Sequence, residues 1–508
     1  MAVRVKTSAL IGIDGVIVTV EVDISRGLPA FNIVGLPNAS VMESKERVRS
    51  AIINSGFEFP VKRITINLAP ASIKKAGSQL DLAIAIGILL ATHQIYIDDE
   101  EINIYLFLGE LSLFGEIKKI TGALPIIISC FERKINKFII PLENLSECEI
   151  LQNAYILPFK SLKEVVYFLN YGKRKIYTIK KKPETMENNM LDFYDVYGLE
   201  STKRAIEVAA SGKHNLLLYG PPGSGKTMLA QRIPSILPEL TYQESLDVTK
   251  IYSIAGLLDD TNGVVTERPF RTPHHSSSSI SLIGGGANPI PGEISLAHNG
   301  VLFLDELLEF KKPALEVLRQ PIEQKYIIIN RVLGRIKYPA NFMLIAAMNP
   351  CPCGYYGSDK DCTCTYFERN RYLNKLSGPL LDRIDLYSSV SSVPFDKLNN
   401  KNAGESSKTI KMRVDNCRMI QQERFKNTKI HCNGEMRDRD IKKYCDLNLK
   451  SLSILNKVYK NFKLSTRAYN RILKVSRTIA DLDNSDDILE CHLIEALSYR
   501  KFINDKYR

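Results

Sequence analysis

The 508-residue sequence predicts an α/β protein of about three domains: a compact α+β front domain, an open α/β core and a helical end. Three observations carry that expectation. Residues 214–227 read HNLLLYGPPGSGKT, an apolar strand running into a Gly-rich turn and a helix start. Strand-like and helix-like patterns alternate from 193 to 395, as in an open, mostly parallel sheet. Near the end, AYNRILKVSRTIADL spaces its apolar residues by three and four, the period of a helix with one buried face.

The front domain is expected over 1–170. ALIGIDGVIVTVEVDI reads as a hairpin with Asp14-Gly15 as its turn. ITINLAP reads as a buried strand, LDLAIAIGILLATHQI as a core helix, and YLFLGELSLFGEI as two strands around a turn. No nucleotide signature occurs in this region. Residues 171–192 are polar, open with a basic run and read as a linker. The core follows over 193–395, where GVLFLDELLEF and NFMLIAAMNP each offer an apolar strand ending in polar residues. The helical region is expected over 396–508, entered through a polar, flexible connection at 396–412.

Composition narrows the class. Hydrophobic content of 44% and charged content of 24% are those of a soluble globular protein. The longest apolar run, Leu82 to Ala91, is half the length of a membrane helix, and the first residues show no secretory pattern. A cytoplasmic protein without a membrane partner is expected. The net charge is +12, and residues 401–508 hold 24 Lys+Arg against 14 Asp+Glu, an excess of ten. Such an excess suits a polyanion, or else is a solvated basic surface. Ten cysteines in a cytosolic chain do not read as a disulfide framework. Four of them, Cys351, Cys353, Cys362 and Cys364, cluster in CPCGYYGSDKDCTC, where two Cys-x-Cys pairs could hold one structural Zn2+ or stay reduced thiols.

The run Gly220, Pro221, Pro222, Gly223, Ser224, Gly225, Lys226, Thr227 completes a phosphate-binding loop. Its glycines let successive backbone N–H groups face a triphosphate at a helix N-terminus. Lys226 is placed for the terminal phosphates of ATP, and Thr227 for Mg2+. In VLFLDE, an apolar strand delivers Asp305 and Glu306 at its C-terminal end, where ligands bind in open α/β sheets. Asp305 is expected to organise Mg2+ and its waters, and Glu306 to act as general base toward the attacking water. Asn349 ends the neighbouring strand, where it can reach the terminal phosphate or the water, or merely cap a strand before proline.

The order of GPPGSGKT, VLFLDEL, AAMNPCPCG and SGPLLDRIDL resembles the AAA+ ATPases of the magnesium-chelatase-like group, and within it the ComM/YifB branch. RPFRTPHHSSS, GGGANPIPGEISLAHNGVLFLDEL and LSTRAYNRILKVSRTIADL carry the same likeness, as do FNIVGLPNASVMESKERVRSAIINSG and LGELSLFGEIKKITGALP near the start. The resemblance spans nearly the whole chain. It implies an AAA+ P-loop NTPase core and a helical C-terminal lid domain. It also implies that Arg383 is the arginine finger reaching the γ-phosphate on a neighbouring subunit, and Arg467 the lid arginine that senses nucleotide in cis. It further implies a homo-oligomeric ring, a hexamer, that hydrolyses ATP and acts on DNA as a helicase promoting branch migration during recombination and natural transformation. Insertions before the second acidic strand can face the ring's pore in this group, so Arg268, Arg271, His274 and His275 are candidates for a phosphate backbone; the plain alternative is a surface loop.

The front domain resembles the Lon protease fold. GELSLFGEIKKITGAL follows the pattern leading to its catalytic lysine, but the matching position is Leu124. The Gly-Pro-Ser-Ala-Gly pattern is absent, and Ser78 is the nearest hydroxyl. A leucine cannot accept a proton, so a fold without peptidase activity is expected; Lys118 or Lys119 would be a displaced base only in the contrary case. The other readings of the whole chain are a motor subunit for magnesium insertion into a porphyrin and an ATP-dependent remodelling factor for a protein partner.

Overall fold

A computed structural model describes residues 2–177, 191–258, 263–286, 289–331, 334–392, 404–461 and 464–500. The front domain is α+β. Strands β1 (Val3–Ile11), β2 (Asp14–Ser25), β3 (Ala30–Val34), β4 (Arg63–Ala69), β5 (Tyr105–Phe107), β8 (Lys137–Pro141) and β9 (Tyr155–Phe159) form one mixed sheet in the order β3-β4-β2-β1-β5-β8-β9. The short pair β6 (Glu110–Leu111) and β7 (Ile117–Lys118) stands outside it. The first hairpin turns at Gly12-Ile13, not at the expected Asp14-Gly15, because Ile11 pairs with Asp14 and Gly12 takes the positive φ, +66°, that a two-residue turn demands. Gly15 instead lies in β2, where a Cβ would come within 2.7 Å of the Ile126 Cα on the covering helix.

The helix Asp81–Ala91 packs on β1 and β2, buried from Asp81 to Leu90 as its continuous apolar run requires. Asp81 at its first turn is paired with Arg47 at 2.7 Å, yet burial pushes its carboxyl up to about 6. The helix Ala123–Phe131 covers the opposite face of the sheet. The linker expected at 171–192 lies largely outside the described residues.

The core sheet is all parallel. Strands β10 (Leu216–Tyr219), β11 (Phe270–Arg271), β14 (Val301–Leu304), β17 (Met343–Met348) and β18 (Leu386–Ser389) run in the order β11-β14-β17-β10-β18. Two small hairpins decorate it, β12 (Gly284–Gly285) with β13 (Ile290–Pro291), and β15 (Tyr326–Arg331) with β16 (Gly334–Pro339).

The C-terminal region is helical: Ser407–Arg424, Asp438–Tyr444, Leu449–Asn461, Thr466–Leu482 and Glu490–Ser498. Residues 407–412 belong to the first of these, so the polar connection ends at Ser406, whose side chain caps that helix. One hydrophobic cluster runs from Leu216, Leu218, Phe303 and Ile345 of the sheet to Ile472, Leu473 and Ile479 of the helix Thr466–Leu482. The helical region is thus docked on the core. Buried Asp481 stitches it internally, pairing with Arg424 and Arg477 and accepting from Asn433 Nδ2 at 2.7 Å.

The front domain also packs on the core. Leu124 and Ile128 meet Leu246 of the helix Tyr242–Ala255. Gly122 N–H donates to the Ser253 carbonyl at 3.2 Å, Ser253 Oγ donates to the buried Glu147, and Tyr242 OH donates to the Ile150 carbonyl at 2.8 Å. At a second point the β1–β2 turn meets the β15–β16 hairpin, where a Cβ on Gly12 would lie 2.6 Å from Ile336 Cγ2.

Candidate active site

Three neighbouring strands, β10, β17 and β14, end side by side, and each delivers one part of the site. The exit of β10 passes so close to that of β18 that a Cβ on Gly220 would lie 2.1 Å from the Val390 carbonyl oxygen. Gly223 and Gly225 adopt φ of +77° and +91°, left-handed values that favour glycine. A Cβ on Gly223 would meet nothing within 4 Å, so the outer side of the loop is an open cradle of a kind that suits a triphosphate. Lys226 opens the helix Lys226–Arg232. Its Nζ donates to the Gly220 and Pro221 carbonyls, both at 2.8 Å, and to Asn349 Oδ1 at 3.2 Å. Burial lowers its pKa, and the Asp305 carboxylate pulls it back up.

Thr227 Oγ1 donates to Asp305 Oδ2 at 2.6 Å. A hydroxyl and a carboxylate meeting this closely form the hard-oxygen donor set that Mg2+ takes. Glu306 follows at φ +49°, a strained value for a side chain of its size, with the carboxylate 56% exposed. Its Oε2 lies 3.2 Å from His275 Nδ1. Lys226, Thr227, Asp305 and Asn349 are therefore brought together, with Glu306 adjacent. His275 was foreseen only as a pore-side candidate; RTPHH does not say which carboxylate its imidazole meets.

The two arginine candidates for phosphate contact in that stretch are engaged elsewhere. Arg268 donates to the Asn299 carbonyl at 2.7 Å and pairs with Glu244 at 3.0 Å, while Arg271 grips Glu293 with two bonds, at 2.7 and 2.8 Å. Both hold the core together. The His274 ring packs on that of His275 at a tilt of 35°, centroids 4.0 Å apart.

Arg383 and Arg467 lie by the opposite, N-terminal end of the core strands. Val390, after β18, adjoins the phosphate loop, whereas Arg383 precedes β18. The Arg383 side chain is 9% exposed, pairs with Glu323 at 2.7 Å and donates to the Arg319 carbonyl at 3.2 Å. Arg467, 62% exposed, approaches the same Glu323 carboxylate oxygen at 4.0 Å. Arg467 is thus grouped with Arg383 and Glu323, not with the phosphate-loop residues. The reason is the docking of its helix: Arg471 binds Asp385 and the Arg383 carbonyl, and Thr478 shares a 2.8 Å hydrogen bond with His214 ahead of β10.

In the front domain, Ser78 Oγ donates to Glu110, Lys118 pairs with Glu116 at 2.6 Å, and fully buried Lys75 donates to the Gly35 carbonyl at 2.9 Å and to that of Pro70. Leu124 is wholly buried and packs against the core.

The four thiols foreseen as a cluster do converge. All four sulfurs lie within 4.8 Å of one another, with Cys351 buried and Cys353, Cys362 and Cys364 half-buried. The first of them, Cys351, follows Asn349 after a single residue, Pro350.

Comparison with known proteins covers the chain in three blocks. Residues 20–144 match the family described as subunit ChlI of Mg-chelatase, 192–398 that of magnesium chelatase, subunit ChlI, and 404–500 that of magnesium chelatase, subunit ChlI C-terminal. Competence protein ComM of Haemophilus influenzae is 44% identical over 98% of this chain and 97% of its own length. The uncharacterized protein YifB of Escherichia coli is 44% identical over 98% and 96%. A magnesium-chelatase 67 kDa subunit of Chlorobaculum parvum is 26% identical over 32% of this chain and 24% of its own. Among the described residues no helix is long and apolar enough to cross a membrane.

Proposed function

This chain belongs to the magnesium-chelatase-like ComM/YifB family of AAA+-type ATPases, and we propose from that premise that it is a ring-forming motor which spends ATP to move on DNA. The observation that carries the ATPase reading is the meeting of Lys226 with Asn349 and of Thr227 with Asp305 at adjacent strand ends.

In this reading the amides of 220–227 and Lys226 hold the β- and γ-phosphates, and Thr227 and Asp305 hold Mg2+. The ion, when bound, offsets charge on the transferring phosphoryl group. Glu306 accepts a proton from the attacking water, and Asn349 orients that water or the terminal phosphate. Arg383 and Arg467 face away from their own phosphate loop, which supports a role in the site of the next subunit around a hexameric ring. Reaching that site requires Arg383 to leave Glu323.

DNA as the substrate is supported by the basic helical region. Its arginines Arg413, Arg424, Arg471 and Arg477 are tied into internal ion pairs, while Lys442, Lys443, Lys450, Lys457 and Lys460 are exposed. A relative named as a competence protein agrees with work on incoming DNA. Branch migration by a cytoplasmic helicase is the specific form proposed. The front domain, read as Lon-like without peptidase activity, is its assembly platform, and the four thiols are a structural Zn2+ site. The likeness to a magnesium-chelatase subunit favours a second reading, magnesium insertion into a porphyrin, but it covers only 32% of this chain.

The test is ATP hydrolysis with and without single-stranded and branched DNA at several salt concentrations, beside a strand-displacement assay. Stimulation by DNA that fades with rising salt is expected. Hydrolysis indifferent to every DNA would overturn the substrate assignment, and no hydrolysis in any assembly state would overturn the motor.

A further inference from the structure

The stretch from Asn349 to Thr365 carries no helix or strand, although it connects β17 to the helix Tyr366–Leu373. Loops beyond about 12–15 residues without secondary structure need some other source of order. An apolar core does not supply it here: within 350–365 only Cys351 and Gly354 are buried. What converges instead is sulfur. Cys351 Sγ lies 3.4 Å from Cys353 Sγ and 3.7 Å from Cys362 Sγ, and Cys353 Sγ lies 3.6 Å from Cys362 Sγ. Cys364 Sγ accepts the Cys353 N–H at 3.3 Å, and Cys351 Sγ accepts the Tyr356 N–H at 3.4 Å.

These separations have a direct chemical meaning. Disulfide sulfurs sit about 2.05 Å apart, and all four cysteines are free. In a tetrahedron with zinc–sulfur bonds of about 2.3 Å, the sulfurs are about 3.8 Å from one another. The spacings among Cys351, Cys353 and Cys362 approach that edge length, and Cys364 Sγ lies within 4.8 Å of each. Backbone N–H groups aimed at the sulfurs favour thiolate, the ligand form. Four sulfur donors close the coordination shell, which makes the ion structural.

The position of the cluster is as telling as its geometry. One residue, Pro350, separates Cys351 from Asn349. Gly354, at φ +86°, presses on the phosphate loop: a Cβ there would lie 2.7 Å from Pro222 Cδ and 3.9 Å from Asn349 Cγ. The loop that the sulfurs close therefore backs both Asn349 and the phosphate loop.

We propose that Cys351, Cys353, Cys362 and Cys364 bind one Zn2+ as a tetrathiolate, and that this ion holds Asn349 and Pro222 in place for the triphosphate, so that metal occupancy controls nucleotide binding and turnover. The control step rests on the ATPase reading above; the metal site does not. Binding replaces four S–H protons, released to solvent, by four Zn–S bonds.

The experiment is metal analysis of the full chain purified without chelator, alongside titration with a fluorescent ATP analogue. One zinc per chain is expected, kept by Lys226→Ala and Cys491→Ser and lost by Cys353→Ser and Cys362→Ser. Metal loss should weaken nucleotide binding at least tenfold. Should those variants fail to fold, mercurial extraction of zinc from the wild-type chain, followed by its return, gives the same reading with reversal. Less than about 0.2 equivalent of zinc, or iron in its place, overturns the site. Full loss of zinc with nucleotide affinity unchanged overturns the control. A zinc-loaded chain that binds no nucleotide overturns the ATPase reading and the control together, while its metal content still upholds the site.

Discussion

In the proposed mechanism His275 and the attacking water both draw on the Glu306 carboxylate. While His275 Nδ1 holds it at 3.2 Å, the attacking water competes for the same carboxylate. His275→Ala should therefore raise basal ATP hydrolysis, by about two- to tenfold if one hydrogen bond of ordinary strength is removed. A fall in kcat would show instead that the imidazole positions the base. Glu306→Gln should leave ATP binding intact and cut turnover by about 10²- to 10⁴-fold, read by single-turnover hydrolysis. His214 gives a different handle. Burial lowers its pKa to about 4, outweighing the Asp385 carboxylate 3.9 Å away, so it is neutral in the fold. The unfolded chain takes up a proton below about 6.5 and the native one only near 4. Stability is thus full above that window and falls on acidification, by about 2 kcal/mol at pH 5 from this group. His298, lowered to about 3, adds to the same slope. His214→Asn should remove about half of the drop in melting temperature between pH 7.5 and 5; a drop of unchanged size would contradict the assignment.

At the scale of elements, local signals and long-range docking part company. The phosphate loop, Asp305-Glu306 and Asn349 were readable because each sits at a strand end, and an apolar run followed by polar residues announces such an end. The parallel sheet followed from the same alternation. The placement of Arg467 was not readable, because Arg471–Asp385 and His214–Thr478 bridge residues far apart in sequence. Arg268 and Arg271 looked available for a polyanion, yet their carboxylates, Glu244 and Glu293, lie more than twenty residues away. The hairpin turn was misjudged by two residues because Gly12 and Gly15 compete, and only the packing of Ile126 shows which glycine must lie in the strand. The helix Leu449–Asn461 keeps Lys450, Lys457 and Lys460 exposed. Replacing all three by alanine should weaken DNA binding and reduce its log-log salt slope by about 2 to 3, one phosphate contact apiece. An unaltered slope in a filter or anisotropy titration would move the DNA path elsewhere.

For the molecule as a whole, the two ends of the sheet divide the labour. The C-terminal end of the strands holds the phosphate loop; the N-terminal end carries Arg383, with Arg467 and Glu323 beside it. In the proposed ring a neighbour completes the site, so Arg383→Ala should bind ATP yet hydrolyse little. Mixing it with Glu306→Gln should recover part of the activity, since some junctions then pair an intact base with an intact arginine. Mixtures as dead as their components would count against a shared site. The front domain adds one more consequence. It is fastened to the core at two separate places, Leu124 with Leu246 near Ser253, and Gly12 with Ile336. A body held at two separate places cannot swing freely about either, so in the proposed ring each front domain would move with its own core, and a closed circle of such cores would carry a second storey whose footing shifts with every stroke.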